Sequence, residues 1–556
     1  MKHRNLLLAA AMMFGAIAPA TAAKWFVKVD APDGNDGKTW ETAFNLADCI
    51  SKISEMNTGD DVYFAGGEYF YPQLQASGNA MVTGIKMQNK PVNLHGGFPA
   101  DLSGTAVPEL SYPTDTPTIL NGDRNGNGKA DEGDMRNLIF VQTTKAETAL
   151  LQNPQQCLIE GFTLKNAYYA GTKGTELGAI NVDMTHIVTI RNCVFTGNKC
   201  ENAGAAFSNS GSQTHFIDCI FEDNEGQSAG IAINQSKRGD AEKHFKLSAI
   251  VERCLISGNR GIGEGKVAGG SAIRLNSGSV YIINSTITGN KGYKQASIHM
   301  NDGTQLYIAS STIADNEETF PSTGSAIYST GTPKIRIINS YILGMENDES
   351  VPAICLSEMT TKVSSVLTSD GGNVLGKCDF TSAEEGGEAF ENNFASDVVI
   401  AGYDDYKDAN TPFSVFGRTG LQDKGGFSKV LVPNTFVRPY NKSDFAGLFK
   451  SEYKCPVDVN DIVDQRNVER PAVIAVGAYD ESAVTGIDAV KTDSSISVSF
   501  IGNGLYRLSE AADNITVSDL SGRILSSTYG EIVNLGAYPA GVYIIVADGA
   551  VCKVVR

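Results

Sequence analysis

Short stretches in which apolar and polar residues alternate recur from Leu158 to Met345, with Gly, Asn and Asp at the corners between them. Alternation with period 2 and an excess of β-branched residues predicts strands. TIRNCVFTGN, HFIDCIFEDN, IVERCLISGN, YIINSTITGN and IASSTIADN are variants of one phrase, with weaker copies in LIEGFTLKN and RIINSYILGM. Aligned, they share a small central column: Gly161, Cys193, Cys219, Cys254, Ser285, Ser311 and Ser340. Three residues earlier the column is apolar, from Leu158 and Ile190 to Ile337, and two residues later it runs from Thr163 and Phe195 to Ile342. Five residues later stand Asn166, Asn198, Asn224, Asn259, Asn290 and Asn316, until Met345 breaks the run.

Successive central positions lie 26 to 35 residues apart, and each interval holds a small residue followed by an apolar one, as in Ala206-Phe207 and Ala272-Ile273. A unit of this size cannot bury its inner face alone, but stacked units make parallel sheets in which like side chains lie above one another. The predicted fold is all-β: a parallel β-helix. A propeller would need antiparallel blades of about 40 residues or more. Asn suits a tight left-handed corner and can form amide ladders between coils. In the central column Cys193, Cys219 and Cys254 read as small buried free thiols, since neighbouring parallel strands stand slightly too far apart for a disulfide.

DDVYFAGGEYF, PVNLHGGF, TPTILNGD and NLIFVQ read as earlier coils, after a helical segment from Thr42 to Ile53 that caps the open end. GGNVLG and DQRNVERPAVIAVGAYD read as the last ones. The expected organisation is a cleaved signal peptide at 1–22, where Lys2 and Arg4 precede the apolar run Leu6–Ile17; an N-terminal cap at 23–57; a β-helix over 58–480; and a small C-terminal β-sandwich at 481–556. At this repeat length the helix would hold about 14 coils and run about 65 Å. No other apolar run reaches the roughly 20 residues of a membrane span.

WFVKVDAPDGNDGKTWETAFNLADCI, GDDVYFAGGEY, LHGGF and DQRNVERPAVIAVGAYD resemble the opening and closing of secreted right-handed β-helix proteins related to polymorphic outer membrane proteins, common in Bacteroidetes. That resemblance implies right-handed winding and export to the cell surface, but no single activity. Beyond Thr485, SDLSGRIL, YPAGVYIIV and the terminal KVVR resemble the sorting domain of type IX secretion, which implies secretion machinery as a partner.

A formal charge of -18 excludes the basic stripe that nucleic-acid binding needs. DRNGNGKADEGD has the oxygen spacing of a calcium loop: Asp123, Asn125 and Asn127 at positions 1, 3 and 5, the Lys129 carbonyl at 7, Asp131 at 9 and Asp134 at 12. A calcium ion there would be structural. The coil register also places Arg274, His299 and Tyr328 outward on successive coils, beside Asn276, Asn301 and Thr330. A guanidinium, an imidazole and a phenol so placed could neutralise a uronate, take its α-proton and protonate the leaving oxygen, as a polysaccharide lyase does. Of the six histidines, only His299 has sequence neighbours that suggest a role. Tyr168, Tyr169 and Tyr293 follow the Asn corner and could stack on sugars. No carboxylate pair recurs in the repeat as glycoside hydrolysis would need. The expected function is therefore a non-enzymatic surface β-helix that binds glycan or protein along its faces, with a uronate-specific lyase as the alternative.

Overall fold

The computed structural model describes residues 22–72, 83–144, 154–170, 178–183, 186–234, 247–262, 269–292, 296–319, 323–345, 351–359, 361, 363–382, 398–399, 416–433, 436–481, 498–502, 505–519, 524–536, 538–539, 542–548 and 550–555. The expected signal peptide lies outside them, save for Ala22. The chain divides into two compact units, one of Met1–Asn467 with Ala472–Asp480, the other of Val468–Pro471 with Glu481–Arg556.

The first unit is a parallel β-helix. Its described strands form two 11-stranded sheets, a 10-stranded sheet and a shorter sheet of six, each joining strands from successive coils. The first sheet runs from Lys24–Val27 through Asp61–Ala65, Asn93–Phe98, Gln156–Glu160 and Ile187–Arg191 to Leu367–Ser369. The second runs from Gly67–Phe70 to Val398–Val399, and the third from Thr83–Gln88 to Cys378–Ser382. All pairings within these stacks are parallel, and their inward side chains form one continuous core from Val27 to Leu375. Helix α1, Leu46–Lys52, starts where the Asn45 side chain accepts the Asp48 N–H at 2.8 Å, and plugs the end of that core with Leu46 and Cys49.

The central column stacks as the repeat requires. Ile220 N–H donates to the Cys193 carbonyl, Leu255 to Cys219, Thr286 to Cys254, Thr312 to Ser285 and Tyr341 to Ser311, each at 2.9 Å. All ten cysteines are free thiols. The Asn column is a ladder: the side-chain amide of Asn198 donates to Asn224, Asn224 to Asn259, Asn259 to Asn290 and Asn290 to Asn316, each at 2.9 Å.

Two details differ from the sequence reading. The left-handed corners are the residues just before the ladder, such as Gly197, Asp223 and Gly258, and just before the central column, such as Asn192, Asp218 and Asn284. The ladder asparagines point inward, where stacked amides satisfy one another. In addition, the copy LIEGFTLKN is one residue out of line: Ile190 pairs with Ile159 and Val194 with Thr163, so Gly161 stands at the corner filled by Asn192, and Phe162 stands beside Cys193.

The stack is also shorter than 14 coils among the described residues, because residues 416–433, 436–467 and 472–480 turn back over it. Strands Phe416–Gln422 and Val430–Pro433 pair antiparallel, as do Tyr440–Asn441 and Val473–Ile474. Helix α2, Lys442–Tyr453, lays Phe445, Phe449 and Tyr453 on the outward side chains Ile250, Tyr281, Ile283, Ala309 and Ile338 of the first sheet. These residues are spaced four apart, one face of a helix. Both ends of DQRNVERPAVIAVGAYD, Asp464–Asn467 and Ala472–Asp480, are part of this strap: Ala478 N–H bonds to Thr312 Oγ1 at 3.1 Å, and Gln465 Oε1 accepts from Thr286 at 2.5 Å.

The second unit is an antiparallel sheet of five strands, Val498–Gly502, Leu505–Asp519, Ile524–Asn534, Val542–Ala547 and Ala550–Val555, with its own core around Ile515, Val517, Leu535 and Ile545.

Candidate functional site

On the outward face of the first sheet, Tyr63, His95, Glu160 and Arg191 occupy one column on four successive strands. The His95 ring stacks on Tyr63, with centroids 4.8 Å apart and planes at 18°. His95 Nδ1 lies 2.6 Å from Glu160 Oε1, and Nε2 lies 3.2 Å from Asp61 Oδ1. Asp61 also accepts from the Asn93 amide at 2.9 Å, and Arg191 donates to Glu160 through Nε at 2.9 Å and through Nη2. An imidazole with a carboxylate on each nitrogen is held as imidazolium, because only the charged ring donates from both. Burial alone would lower the His95 pKa, but the hydrogen bonds it donates to Asp61 and Glu160 override this and raise it. Glu160 and Asp61 mirror this: burial pushes both up, and the bonds to His95, with Arg191 for Glu160 and Asn93 for Asp61, hold both below the usual carboxylate range.

This column is the floor of a cavity of about 690 Å³, a size suited to a small ligand. One wall is the segment Val107–Tyr112; the other comes from the strap, with Phe427, Arg466 and Asn467. Tyr112 reaches the floor because Gly161 carries no side chain. Its hydroxyl donates to the Gly96 carbonyl at 2.8 Å, and a Cβ at Gly161, where φ is +77°, would stand 2.6 Å from the Tyr112 ring. Asp218, at the far end, is forked by Arg253 through two bonds of 2.9 Å. Arg466 lies 4.5 Å over the Tyr479 ring and is fixed by Asp464 at 2.8 and 2.6 Å.

Of this site, sequence reasoning found none. His95 has neighbours that matter, but they come from strands 34 and 65 residues away. Arg274, His299 and Tyr328 do lie in register on three successive strands of the third sheet. His299 is 5% exposed and stacks on Tyr328 at 5.7 Å. Burial, and then the charge of Arg274, push it down to about 3. Arg274 Nε donates to Asn276 at 2.9 Å and Tyr328 Oη lies 3.1 Å from Ser357 Oγ, while no hydrogen bond joins the three to one another among the described residues. Tyr169 packs under Arg136 at 3.9 Å and Tyr168 donates to Glu201 at 3.3 Å; Tyr293 lies outside the described residues.

The Asp123 loop brings its six residues together, with its oxygens largely engaged. Asp123 accepts the N–H groups of Gly126, Asn127 and Gly128 at 2.7, 3.3 and 2.6 Å. The amides of Asn125 and Asn127 both donate to Asp131 at 2.6 Å, Lys129 N–H bonds to Asn127 Oδ1 at 2.9 Å, and Asp134 accepts from Arg124 and Asp131 N–H, each at 2.9 Å. Burial and the nearby charges of Asp131 and Asp123 raise the Asp134 pKa. Among the described residues, no three His, Cys, Asp or Glu side chains converge as a metal site.

A family model described as a right handed beta helix region matches residues 178–348, in agreement with the winding expected from the sequence. No curated protein matches the chain in sequence. Among solved structures it is similar to a rhamnogalacturonan lyase, at 11% identity over 66% of this chain and 90% of that one, with a TM-score of 0.33. It is also similar to the pectin methylesterase from Aspergillus niger, at 11% identity over 69% and 91%, with a TM-score of 0.25. A PL6 family alginate lyase follows at 12% identity over 74% and 55%, with a TM-score of 0.22. No helix among the described residues is long and apolar enough to cross a membrane.

Proposed function

We propose that the protein is an exported, non-catalytic β-helix that holds a glycan in the cleft between Val107–Tyr112 and the strap. The observation that carries this reading is the saturation of the floor: Glu160 is kept ionised by His95 and Arg191, Asp61 behind it by His95 and Asn93, and Asp218 is forked by Arg253. A general acid needs the opposite, a carboxyl whose pKa is raised toward the working pH. What remains is a rigid polar floor between two half-buried rings, Tyr112 and Phe427, which is the equipment of sugar binding: rings to stack on, fixed polar groups to orient. The lyase alternative is disfavoured by His299, since a base with a pKa of about 3 is poorly matched to neutral pH. Export rests on the apolar run Leu6–Ile17 and on the second unit, which has its own core and would be read by secretion machinery.

Glycan-array binding of the full chain, followed by calorimetry on the hits, tests the proposal. Tyr112→Ala is expected to weaken binding about tenfold, about 1.4 kcal/mol. Retained affinity in that variant, or no hit at all, would sink it. So would new ultraviolet absorbance from unsaturated products when the protein is incubated with uronic-acid polymers.

We also propose a structural calcium ion in the Asp123–Asp134 loop, its oxygens freed by turning the Asn125 and Asn127 amides. The raised pKa of Asp134 supports it, because like charges close together gain from a cation between them. A chelator is expected to lower the unfolding midpoint, calcium at 100 times its Kd being worth about 2.7 kcal/mol. A midpoint indifferent to chelator rules the ion out.

A further inference from the structure

We propose that the saccharide held in this cleft is uncharged; this rests on the glycan reading above. The charged groups of the cleft floor and of the strap wall each have a partner of opposite sign: His95 lies between Asp61 and Glu160, Arg191 bonds Glu160, Arg253 forks Asp218, and Arg466 bonds Asp464; Glu109, on the opposite wall, is an exposed carboxylate that adds to the repulsion of an anion. An arriving carboxylate or sulfate would lose its water without meeting an uncommitted cation, and an ammonium would find the carboxylates on the floor taken. The wider field also opposes an anion, at a net charge of -18 over the chain.

On the floor and the strap wall the polar groups left uncommitted are neutral. Asn192 on the floor and Asn467 on the strap wall both line the cleft, and neither side-chain amide has a hydrogen-bond partner among the described residues. Both stand at left-handed corners, φ +52° and +63°, a conformation that costs an L-residue energy and that Gly would adopt freely. Each amide offers both a donor and an acceptor, as a sugar hydroxyl does, so two of them facing one cleft match hydroxyl groups on an uncharged ring. The third guanidinium nitrogen of Arg191, whose side chain is 44% exposed, adds a donor directed to a neutral oxygen, its charge being answered by Glu160.

Calorimetry on the full chain decides this with three classes of probe. These are neutral tetrasaccharides (cellotetraose, xylotetraose, mannotetraose and galactotetraose), tetragalacturonate, and a chitosan tetramer. At least one neutral probe is expected to bind with a Kd below about 1 mM, about tenfold or more tighter than either charged probe. Its affinity should change less than about twofold between roughly 0.05 and 0.5 M salt, because no ion pair forms. Asn192→Gly and Asn467→Gly keep the corner geometry, remove the amide, and should each weaken binding about tenfold with an unchanged unfolding midpoint. Tighter binding of a charged probe, or affinity that falls steeply with salt, overturns the uncharged assignment and leaves glycan binding standing. Full affinity in both glycine variants also overturns it. Binding of no probe in any class removes both readings together.

Discussion

Replacing Asn259 by Ala is expected to destabilise the β-helix by about 4 to 6 kcal/mol, more than any single outward substitution. Asn259 Oδ1 accepts the main-chain N–H and the amide of Asn224 at 3.1 and 2.9 Å. Its own amide donates to the Phe221 and Ser257 carbonyls and to Asn290 Oδ1 at 2.9, 3.1 and 2.9 Å. All of this happens out of contact with water, where each polar group left without a partner costs about 1 to 3 kcal/mol. At least two groups are orphaned, and the lost side-chain volume adds a cavity. Because coils touch only their neighbours, the loss should appear as early opening of the middle of the stack, visible in amide hydrogen exchange of residues 219–290. Asn192→Gly, two coils away and facing outward, is the control, expected within about 0.5 kcal/mol of the parent. If Asn259→Ala opens no sooner than that control, the ladder is not what binds the coils.

Acidification is expected to be the second large effect, and two histidines carry it. Burial pushes His186 down to about 4 and His299 down to about 3, both from an ordinary 6.5. The unfolded chain therefore takes up protons on these rings as pH falls through 6.5, while the folded chain does not, so stability is full above that range and declines below it. At about pH 5 each ring costs about 2 kcal/mol, a figure set almost wholly by the unfolded value, since both folded values lie lower. His95 works in the other direction: raised in the folded state, its contribution is fully present below 6.5 and is lost as pH climbs through its folded pKa. Asp61 and Glu160 lose theirs only at lower pH, below the ordinary carboxylate range. Unfolding midpoints measured between about pH 7.5 and 5 should thus fall, fall less in His186→Gln and His299→Asn, and fall more in His95→Gln. Parallel curves for all four proteins would contradict the assignment.

The inward half of the protein was legible in its residues and the outward half was not. Ile190, Phe216, Val251 and Ile282 face one crowded interior, so each coil meets the same requirement and the same residue type returns. Outward positions answer to whatever covers them. The column Glu160, Arg191, Ile217, Glu252, Ile283, Ala309, Ile338 changes from charged to apolar along the stack. Its charged end is the cleft floor and its apolar end lies under α2. Read as a column, that change, together with the four-residue spacing of Phe445, Phe449 and Tyr453, could have announced the strap. His95 had no such signal: it stands in PVNLHGGF, outside the repeated phrase, and its partners are fixed only by register. The slip at LIEGFTLKN had a simple cause, since Asn166 matches the ladder by type while its φ of +58° matches the corner held by Gly197.

The strap also constrains how this gene can lengthen. Solenoids grow by tandem duplication of one turn, and here a copied turn ahead of Ile250 would slide Ile250, Tyr281, Ala309 and Ile338 together, leaving them spaced for α2. A turn copied between Ile250 and Ile338 would part residues that a single twelve-residue helix must span at once. Natural length variants should therefore gain or lose turns near the N-terminal end and keep the stretch under α2 at constant count.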